Sequence, residues 1–218
     1  MSSSIGKVNT QLIKLVPFLR SLKYFLPIQY DIHIFLRYDG IPHVERLLFA
    51  GIVREATEND LPLLIQCNPK PERFRERFHH GDRCLVAETP PGEIIGYEWF
   101  SAPPYHRDQK YHYKISIPPE AFYLYDAFIL PQLRVSGVWL ALKAYMGKIM
   151  KEEGKSALIT YVSHNNALSL RTHFRFGFRV YERVTVVTLG PFSYTHRTPL
   201  VHTPELVKEL IMNNSSSS

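Results

Sequence analysis

The chain has 218 residues, of which 45% are hydrophobic and 13% aromatic, and its formal net charge is +6. This length fits one domain of ordinary size, and the apolar content excludes a globally disordered protein. The positive charge favours anionic ligands, but no nucleic-acid-binding motif occurs, so no nucleic-acid partner is expected. The sequence has neither an uncharged apolar run of bilayer length nor a secretory signal after Met1, which predicts a cytoplasmic protein without a transmembrane segment.

Residues 1–50 are predicted to be an N-terminal elaboration of the domain. Leucines at helical spacing over residues 9–26 predict an amphipathic helix, which either packs on the domain or docks on a membrane or a partner. Alternating apolar residues from Tyr30 to Leu36 predict a strand. Asp39 and Gly40 predict a turn after it, which is compatible with a hairpin. About 50 residues bury too little surface to form a separate stable domain.

The core is predicted to begin at residue 51. Its first half contains a strand at 51–56, a helix after the capping residues 57–60, a short helix at 74–80, and a hairpin of strands 83–88 and 93–100. Residues 101–120 are rich in Pro, His and Tyr and lack periodicity, which predicts a loop with one short strand that carries substrate contacts. Cys67 and Cys84 form no metal or disulfide framework and are predicted to be buried small residues.

The chain is organised around the stretch from Phe122 to Phe178. An apolar strand at 122–130 precedes Arg134, Gly137 and a helix that ends near Gly154. A strand at 156–163 and a helix at 167–175 come next. A turn at a helix N-terminus directs several unpaired backbone N–H groups to one point, with the positive end of the helix dipole behind them. This pattern predicts a site for a pyrophosphate or a similar anion.

The chain ends with a predicted β-branched strand at 179–189 and a C-terminal extension at 191–218. The extension is predicted to contain a short helix near 205–212 and a disordered serine tail. Together the elements predict a mixed α+β fold with a mainly antiparallel sheet and one parallel step between strands 122–130 and 156–163.

The order of these motifs resembles the GNAT superfamily of acyl-CoA-dependent N-acyltransferases. The resemblance covers roughly Ile52 to Val187 and is carried by the loop from Arg134 to Trp139, by Asn166, and by the pair Gly177 and Phe178. It implies a GNAT-like domain over residues 51–190, flanked by the N-terminal helix/strand elaboration. Trp139 departs from the family pattern, which has Gly or Ala there. Its ring either crowds the phosphates or points into the core.

The resemblance implies an N-acyltransferase that moves an acetyl or other acyl group from acyl-CoA, as co-substrate, to a primary amine by direct attack in a ternary complex. It implies that backbone groups of three strand residues pair with the pantetheine arm, that loop amides wrap the pyrophosphate, and that two further residues contact the cofactor. These residues are Phe128, Ile129 and Leu130, then Arg134, Val135, Ser136, Gly137, Val138 and Trp139, then Asn166 and Ser169.

Three residues are candidates for catalysis. By resemblance, the acid that protonates the leaving thiolate falls on His173, and an imidazolium is a competent acid near neutral pH. Glu98 and Asp126 are carboxylates inside otherwise apolar strands, where an unpaired charge is costly. They are therefore expected to line a substrate cleft and accept the amine's proton, the alternative being that each caps a neighbouring backbone group.

Two other functions stay open at the level of sequence. The donor could be an acyl-carrier protein, giving long-chain N-acylation of an amino acid or amino sugar. The domain could instead be a degenerate, non-catalytic GNAT-like binding module. The sequence identifies neither the acceptor amine nor the acyl chain length, and it leaves a homodimer open.

Overall fold

The computed structural model describes residues 28–90, 92–190 and 192–212. The described part contains ten strands, at Ile28–Asp39 (β1), Ile52–Glu55 (β2), Arg83–Thr89 (β3), Glu93–Ser101 (β4), Tyr105–Arg107 (β5), Lys114–Ser116 (β6), Ala121–Ile129 (β7), Ala157–Ser163 (β8), Arg179–Leu189 (β9) and Phe192–Pro199 (β10). It also contains five α-helices, at Leu61–Cys67 (α1), Pro71–His79 (α2), Val138–Glu152 (α3), Ala167–Phe176 (α4) and Pro204–Met212 (α5).

Eight of the strands form one sheet, in the order β10-β9-β1-β8-β7-β4-β3-β2. Every neighbouring pair is antiparallel except β7 and β8, which are parallel. The predicted α+β class, with a mainly antiparallel sheet and one parallel step, is confirmed. Strands β5 and β6 form a separate small hairpin within the segment 101–120, where one short strand was predicted.

Strand β1 lies inside the sheet, between β8 and β9, and pairs antiparallel with both. Because it has neighbours on both edges and layers on both faces, His33 and Phe35 are buried as well as the predicted Ile34 and Leu36. It forms no hairpin with β2. The proposed boundary between residues 50 and 51 stays a prediction, although the strand before it and the strands after it share one sheet. The helix predicted at 9–26 and the serine tail lie outside the described residues.

The C-terminal extension contains a strand that the sequence did not predict. Strand β10 pairs antiparallel with β9 along its length and forms the edge of the sheet. Its side chains are mostly exposed, so its sequence lacks the apolar alternation that would have indicated a strand. The short helix predicted near 205–212 is confirmed as α5. None of the helices in the described residues is long and apolar enough to cross a bilayer.

The two faces of the sheet carry different layers. Helices α3, α4 and α5 pack on one face, against residues such as Phe100 and Leu124. Helices α1 and α2 and the segment 101–120 cover the other face, where Trp99 and Tyr123 point. Consecutive residues of β4 and β7 therefore belong to different cores, as strand geometry requires. We call these the α3 face and the α2 face.

The parallel pair β7 and β8 diverges after a short contact. Residues 121–123 of β7 pair with residues 157–159 of β8, and neither strand pairs with the other beyond that point. Strand β7 continues to Ile129 and β8 to Ser163, so both keep an open edge along the gap between them. An open edge leaves backbone N–H and C=O groups free to pair with an extended ligand.

Candidate functional site

The main cavity, of about 340 Å³, lies where β7 and β8 diverge. Its walls include Tyr123, Tyr125, Asp126 and Ala127 of β7, residues 160–163 of β8, Glu98 of β4, Arg73 and Arg77 of α2, His106, Asp108, Gln109 and Lys110 of the segment 101–120, and Asn166, Ser169 and His173 at α4. Helices α2 and α4 lie on opposite faces of the sheet. The cavity therefore connects the two faces through the gap between the strands.

Asp126 lines the cavity at a bulge of β7. The pairing of β4 with β7 shifts opposite Glu98, and Asp126 has φ +44°, a conformation that non-glycine residues rarely adopt. Two cations hold its side chain: Lys70 Nζ at 3.0 Å and Arg77 Nη1 at 2.5 Å. Burial alone would raise the pKa of Asp126, but Arg77 and Lys70 outweigh it and lower the pKa. The ionised carboxylate is thus a weak proton acceptor, which disfavours the base role predicted for it.

Glu98 also lines the cavity, and its side chain turns to the α3 face. Its Oε1 forms an ion pair with Lys143 Nζ of α3, and the two side chains are 3% and 0% exposed. Burial lowers the pKa of Lys143, and the Glu98 carboxylate opposes this. The other oxygen, Oε2, is buried and has no hydrogen-bond partner in the described part of the chain. Both carboxylates therefore have cationic partners, and these come from opposite faces of the sheet.

His173 is half-buried on α4, and its Nδ1 lies 2.8 Å from the carbonyl oxygen of Ser169. Because a carbonyl only accepts, Nδ1 carries a proton and donates it. Burial, followed by the nearby Lys143 ammonium, lowers the pKa of His173 to about 4. The imidazole is therefore neutral at pH 7. The residue lies at the cavity. Its role as the acid that protonates the leaving thiolate stays a prediction.

This low pKa predicts a pH-dependent loss of stability. An unfolded histidine titrates near 6.5, so the unfolded chain binds more protons than the folded chain between pH 6.5 and 4. The contribution of His173 to stability is complete above pH 6.5 and falls by up to about 3 kcal/mol as the pH drops to 4. We expect urea unfolding at pH 7.5, 6 and 5 to show that the free energy of unfolding falls less for His173→Phe than for wild type as the pH decreases. Parallel pH curves for the two proteins would contradict the assignment.

Asn166 caps helix α4 at the cavity. Its Oδ1 accepts a hydrogen bond of 3.1 Å from the backbone N–H of Ser169. Both residues line the cavity, next to the ends of β7 and β8. The structure thus brings Asn166, Ser169 and His173 together on one side of the gap. Their predicted cofactor contacts stay a prediction.

A second cleft, also of about 340 Å³, lies at the N-terminus of α3 on the α3 face. The residues that line it are Leu48, Arg134, Val135, Gly137, Trp139 and Leu140, with Thr172, Arg175 and Phe176 of α4. Gly137 has φ +83° and turns the chain into α3. Helix geometry leaves the N–H groups of Val138, Trp139 and Leu140 without intrahelical acceptors, and the first intrahelical bond runs from Ala141 N to Gly137 O. Two arginines and a helix N-terminus suit an anion.

Three of the amides predicted to bind the cofactor, those of Arg134, Ser136 and Leu130, are already bonded. The N–H of Arg134 donates to Pro131 O at 3.5 Å. The N–H of Ser136 donates to Leu133 O at 3.1 Å, and its hydroxyl donates to the same oxygen at 2.6 Å. The N–H of Leu130 donates to Ile95 O at 3.0 Å. Because hydrogen-bonding groups alternate between the two edges of a strand, Ile129 directs its N–H and C=O towards the gap, whereas those of Phe128 face β4. Ile129 is thus the strand residue best placed to pair with an extended ligand.

Trp139 packs between helices α3 and α4. Its ring meets Phe176 at 5.0 Å and His173 at 5.4 Å between centroids, both edge to face. The Lys143 ammonium lies 4.7 Å from the same ring. The half-buried ring therefore lines the second cleft and does not close the gap between β7 and β8. Its contact with His173 joins the second cleft to the main cavity, which His173 lines.

Sequence reasoning missed three residues that shape the site. Lys143 is fully buried, which its position among charged residues of the helix did not indicate. Arg77 is also buried, and its guanidinium lies 4.9 Å from the ring of Tyr125. His106 was part of a histidine-rich loop that signalled a pocket, but no local pattern separated it from the exposed His112. Cys67 and Cys84 are buried and free, as predicted.

Comparisons with known proteins support the fold. No protein-family model matches the sequence, and no curated protein does. Among solved structures, a Staphylococcus epidermidis protein of unknown function has a TM-score of 0.54 at 9% identity, over 78% of this chain and 66% of that chain. A putative acetyltransferase of the GNAT family from Novosphingobium aromaticivorans has a TM-score of 0.50 at 16% identity, over 74% and 64%. A tandem GNAT protein from the clavulanic acid biosynthesis pathway has a TM-score of 0.52 at 13% identity, over 84% and 58%.

The chain therefore has a GNAT-superfamily fold. At these identities the likeness concerns the fold alone. The alignments with these three structures span no more than 66% of their chains. The activity of this chain consequently has to be argued from its own cavity and clefts.

Proposed function

We propose that the protein is an N-acyltransferase that moves an acyl group from acyl-CoA to a primary amine by direct attack in a ternary complex. The observation that carries this proposal is the cavity through the sheet at the divergence of β7 and β8. Because side chains from both faces of the sheet line the cavity, we infer one mouth on each face, so that two substrates can enter separately and meet between the strands. Direct transfer requires such a meeting and needs no covalent enzyme intermediate.

The acyl donor is assigned to the α3 face. The second cleft offers the guanidinium groups of Arg134 and Arg175 and the free amides at the start of α3 to a pyrophosphate. An extended pantetheine arm can pair with the open edge of β7 at Ile129. On its way to the gap it passes the contact between Trp139 and His173. The neutral His173, whose proton lies on Nδ1, can accept a hydrogen bond at Nε2 near the thioester.

The acceptor amine is assigned to the α2 face, between α2 and the segment 101–120. Arg73, Arg77 and Lys110 make this mouth rich in cationic side chains, and Asp108 and Asp126 balance part of their charge. Tyr123 and Tyr125 form the floor on the strand. These groups suit a polar amine rather than an alkylamine.

The test is a thiol-release assay over a panel of amines and acyl-CoAs, together with calorimetric titration of coenzyme A. The proposal expects heat of binding with coenzyme A and release of free thiol that depends on both substrates. The alternative with an acyl-carrier protein as donor predicts little or no heat with coenzyme A. A non-catalytic binding module predicts no thiol release with any pair.

A further inference from the structure

His106 lies in the wall of the main cavity on the α2 face. It belongs to β5, and its ring packs on the strand below, 4.2 Å from the centroid of Tyr125 and 4.9 Å from that of Tyr123. The residue is 7% exposed, and it lines the cavity together with both tyrosines. It is therefore fixed in position at the mouth assigned to the amine.

A chain of hydrogen bonds sets the tautomer of His106. Ser101 Oγ donates to Asp82 Oδ1 at 2.5 Å and lies 2.8 Å from His106 Nδ1. A hydroxyl can donate only one hydrogen bond, and Ser101 donates its hydrogen bond to the Asp82 carboxylate. The bond between Ser101 and the imidazole therefore needs Nδ1 as the donor. The hydroxyl of Tyr125 donates to the other oxygen of Asp82 at 2.8 Å and holds the carboxylate in place.

The other ring nitrogen is left as a free acceptor. Nε2 of His106 has no hydrogen-bond partner among the described residues. The atom is not fully buried, so a ligand in the cavity can reach it. A neutral imidazole with its proton on Nδ1 presents a lone pair at Nε2. In a carboxylate-hydroxyl-imidazole chain of this kind, the carboxylate stabilises the positive charge that appears on the ring when Nε2 takes a proton.

We propose that His106 is the general base of the reaction and takes the proton of the acceptor amine at Nε2, with Ser101 and Asp82 as positioning residues. This rests on the proposed N-acyltransferase function. The neutral amine nitrogen forms a bond to the thioester carbon while the C=O π electron pair moves to oxygen, which gives a tetrahedral oxyanion. The nitrogen becomes positively charged, and Nε2 removes one of its two protons. The oxyanion then re-forms the C=O bond. The C–S bond then breaks, and its electron pair leaves on sulfur as a thiolate. The thiolate takes up one proton, from the imidazolium or from water, to give a free thiol and the amide.

The competing carboxylates are less suited to this step. Asp126 is held by two cations, and Glu98 is paired with Lys143 on the other face. Around His106, burial lowers the pKa, Asp82 and Asp108 raise it, and Arg77 lowers it, with the net effect below the usual value. The ring is therefore neutral at pH 7 and can accept a proton.

The test compares His106→Asn with wild type in the thiol-release assay. The asparagine side chain can still donate to Ser101 Oγ, so the fold should survive. We expect kcat/KM at pH 7.5 to fall by about 100-fold or more, with coenzyme A affinity unchanged. The acidic limb of the wild-type pH profile should disappear. His112→Asn is the matched control, because His112 is exposed on the same segment, and it should keep wild-type turnover.

The outcomes separate the two proposals. A wild-type protein that releases no thiol with any amine overturns the proposed function. An active wild type with a folded His106→Asn variant that keeps kcat/KM and the acidic limb overturns only the assignment of the base. If the variant fails to fold, ¹⁵N NMR of wild type decides. The proposal requires a protonated Nδ1 and an unprotonated Nε2 for His106 at pH 7.5, and the reverse pattern overturns it.

Discussion

Replacing Lys143 with methionine is expected to lower the free energy of unfolding by about 3–5 kcal/mol. The ammonium is completely buried and is the only partner of Glu98 recorded in the described residues. Without it, a carboxylate with 3% side-chain exposure keeps its charge in an apolar core or takes up a proton, and both are costly. Urea unfolding at pH 7.5 measures the loss. Lys148→Met in the same helix is the control, because Lys148 is exposed, and its effect should stay within about 0.5 kcal/mol.

The double variant Glu98→Leu with Lys143→Met separates structure from chemistry. Removing both charges leaves no unpaired group, so most of the lost stability should return. Because the proton acceptor is assigned to His106, the double variant should also keep thiol release within about tenfold of wild type, a change of roughly 1.4 kcal/mol. A stable double variant without turnover would instead support Glu98 as the proton acceptor, the role that the sequence alone suggested.

The second large effect is expected at Gly137. An alanine there would have to adopt φ +83°, and its Cβ would lie 3.2 Å from Leu48 Cβ and 3.5 Å from Phe49 N. The turn that directs the amides of α3 into the second cleft would shift. We expect Gly137→Ala to weaken coenzyme A binding about tenfold or more, roughly 1.4 kcal/mol, in calorimetric titration.

Gly154→Ala is the matched control for that experiment. Gly154 follows the other end of α3 with φ +64°, and no atom of the described residues lies within 4 Å of the added Cβ. Its backbone cost should be similar, about 1 kcal/mol, while its distance from the cleft leaves coenzyme A affinity unchanged. Equal affinities in the two variants would place the donor elsewhere.

The elements that local pattern specifies were predictable. Capping residues, alternating strands and helical spacing predicted the hairpin of β3 and β4, helix α3 and the single parallel step. Strand β10 was missed because its side chains face solvent on most positions, so no apolar alternation marks it. The partners of β1 were also beyond reach, since the alternation that predicts a strand does not say which strands lie beside it.

The candidate site was predictable in outline but not in its charges. Glu98 and Asp126, which the sequence marked as carboxylates within apolar runs, both line the cavity, and their role in a substrate site stays a prediction. Their partners, Lys143 and Arg77, are 45 and 49 positions away in the chain, and no local spacing links them. The role proposed for His106 also depends on Asp82, which is 19 positions from Ser101 and is linked to it by no local spacing, whereas Ser101 and His106 are only 5 positions apart.

The position of β1 has a consequence for the order in which the protein folds. Its partners are residues 157–163 and 179–189, so the ribosome releases this strand long before anything that can flank it exists. Until then β1 is an apolar segment of the nascent chain with both edges unpaired, and it can pair with the wrong strand. Contacts of such long sequence separation also slow the final collapse. Shortening the chain past Asp39 would remove the strand that joins β9 and β10 to the other five strands of the sheet.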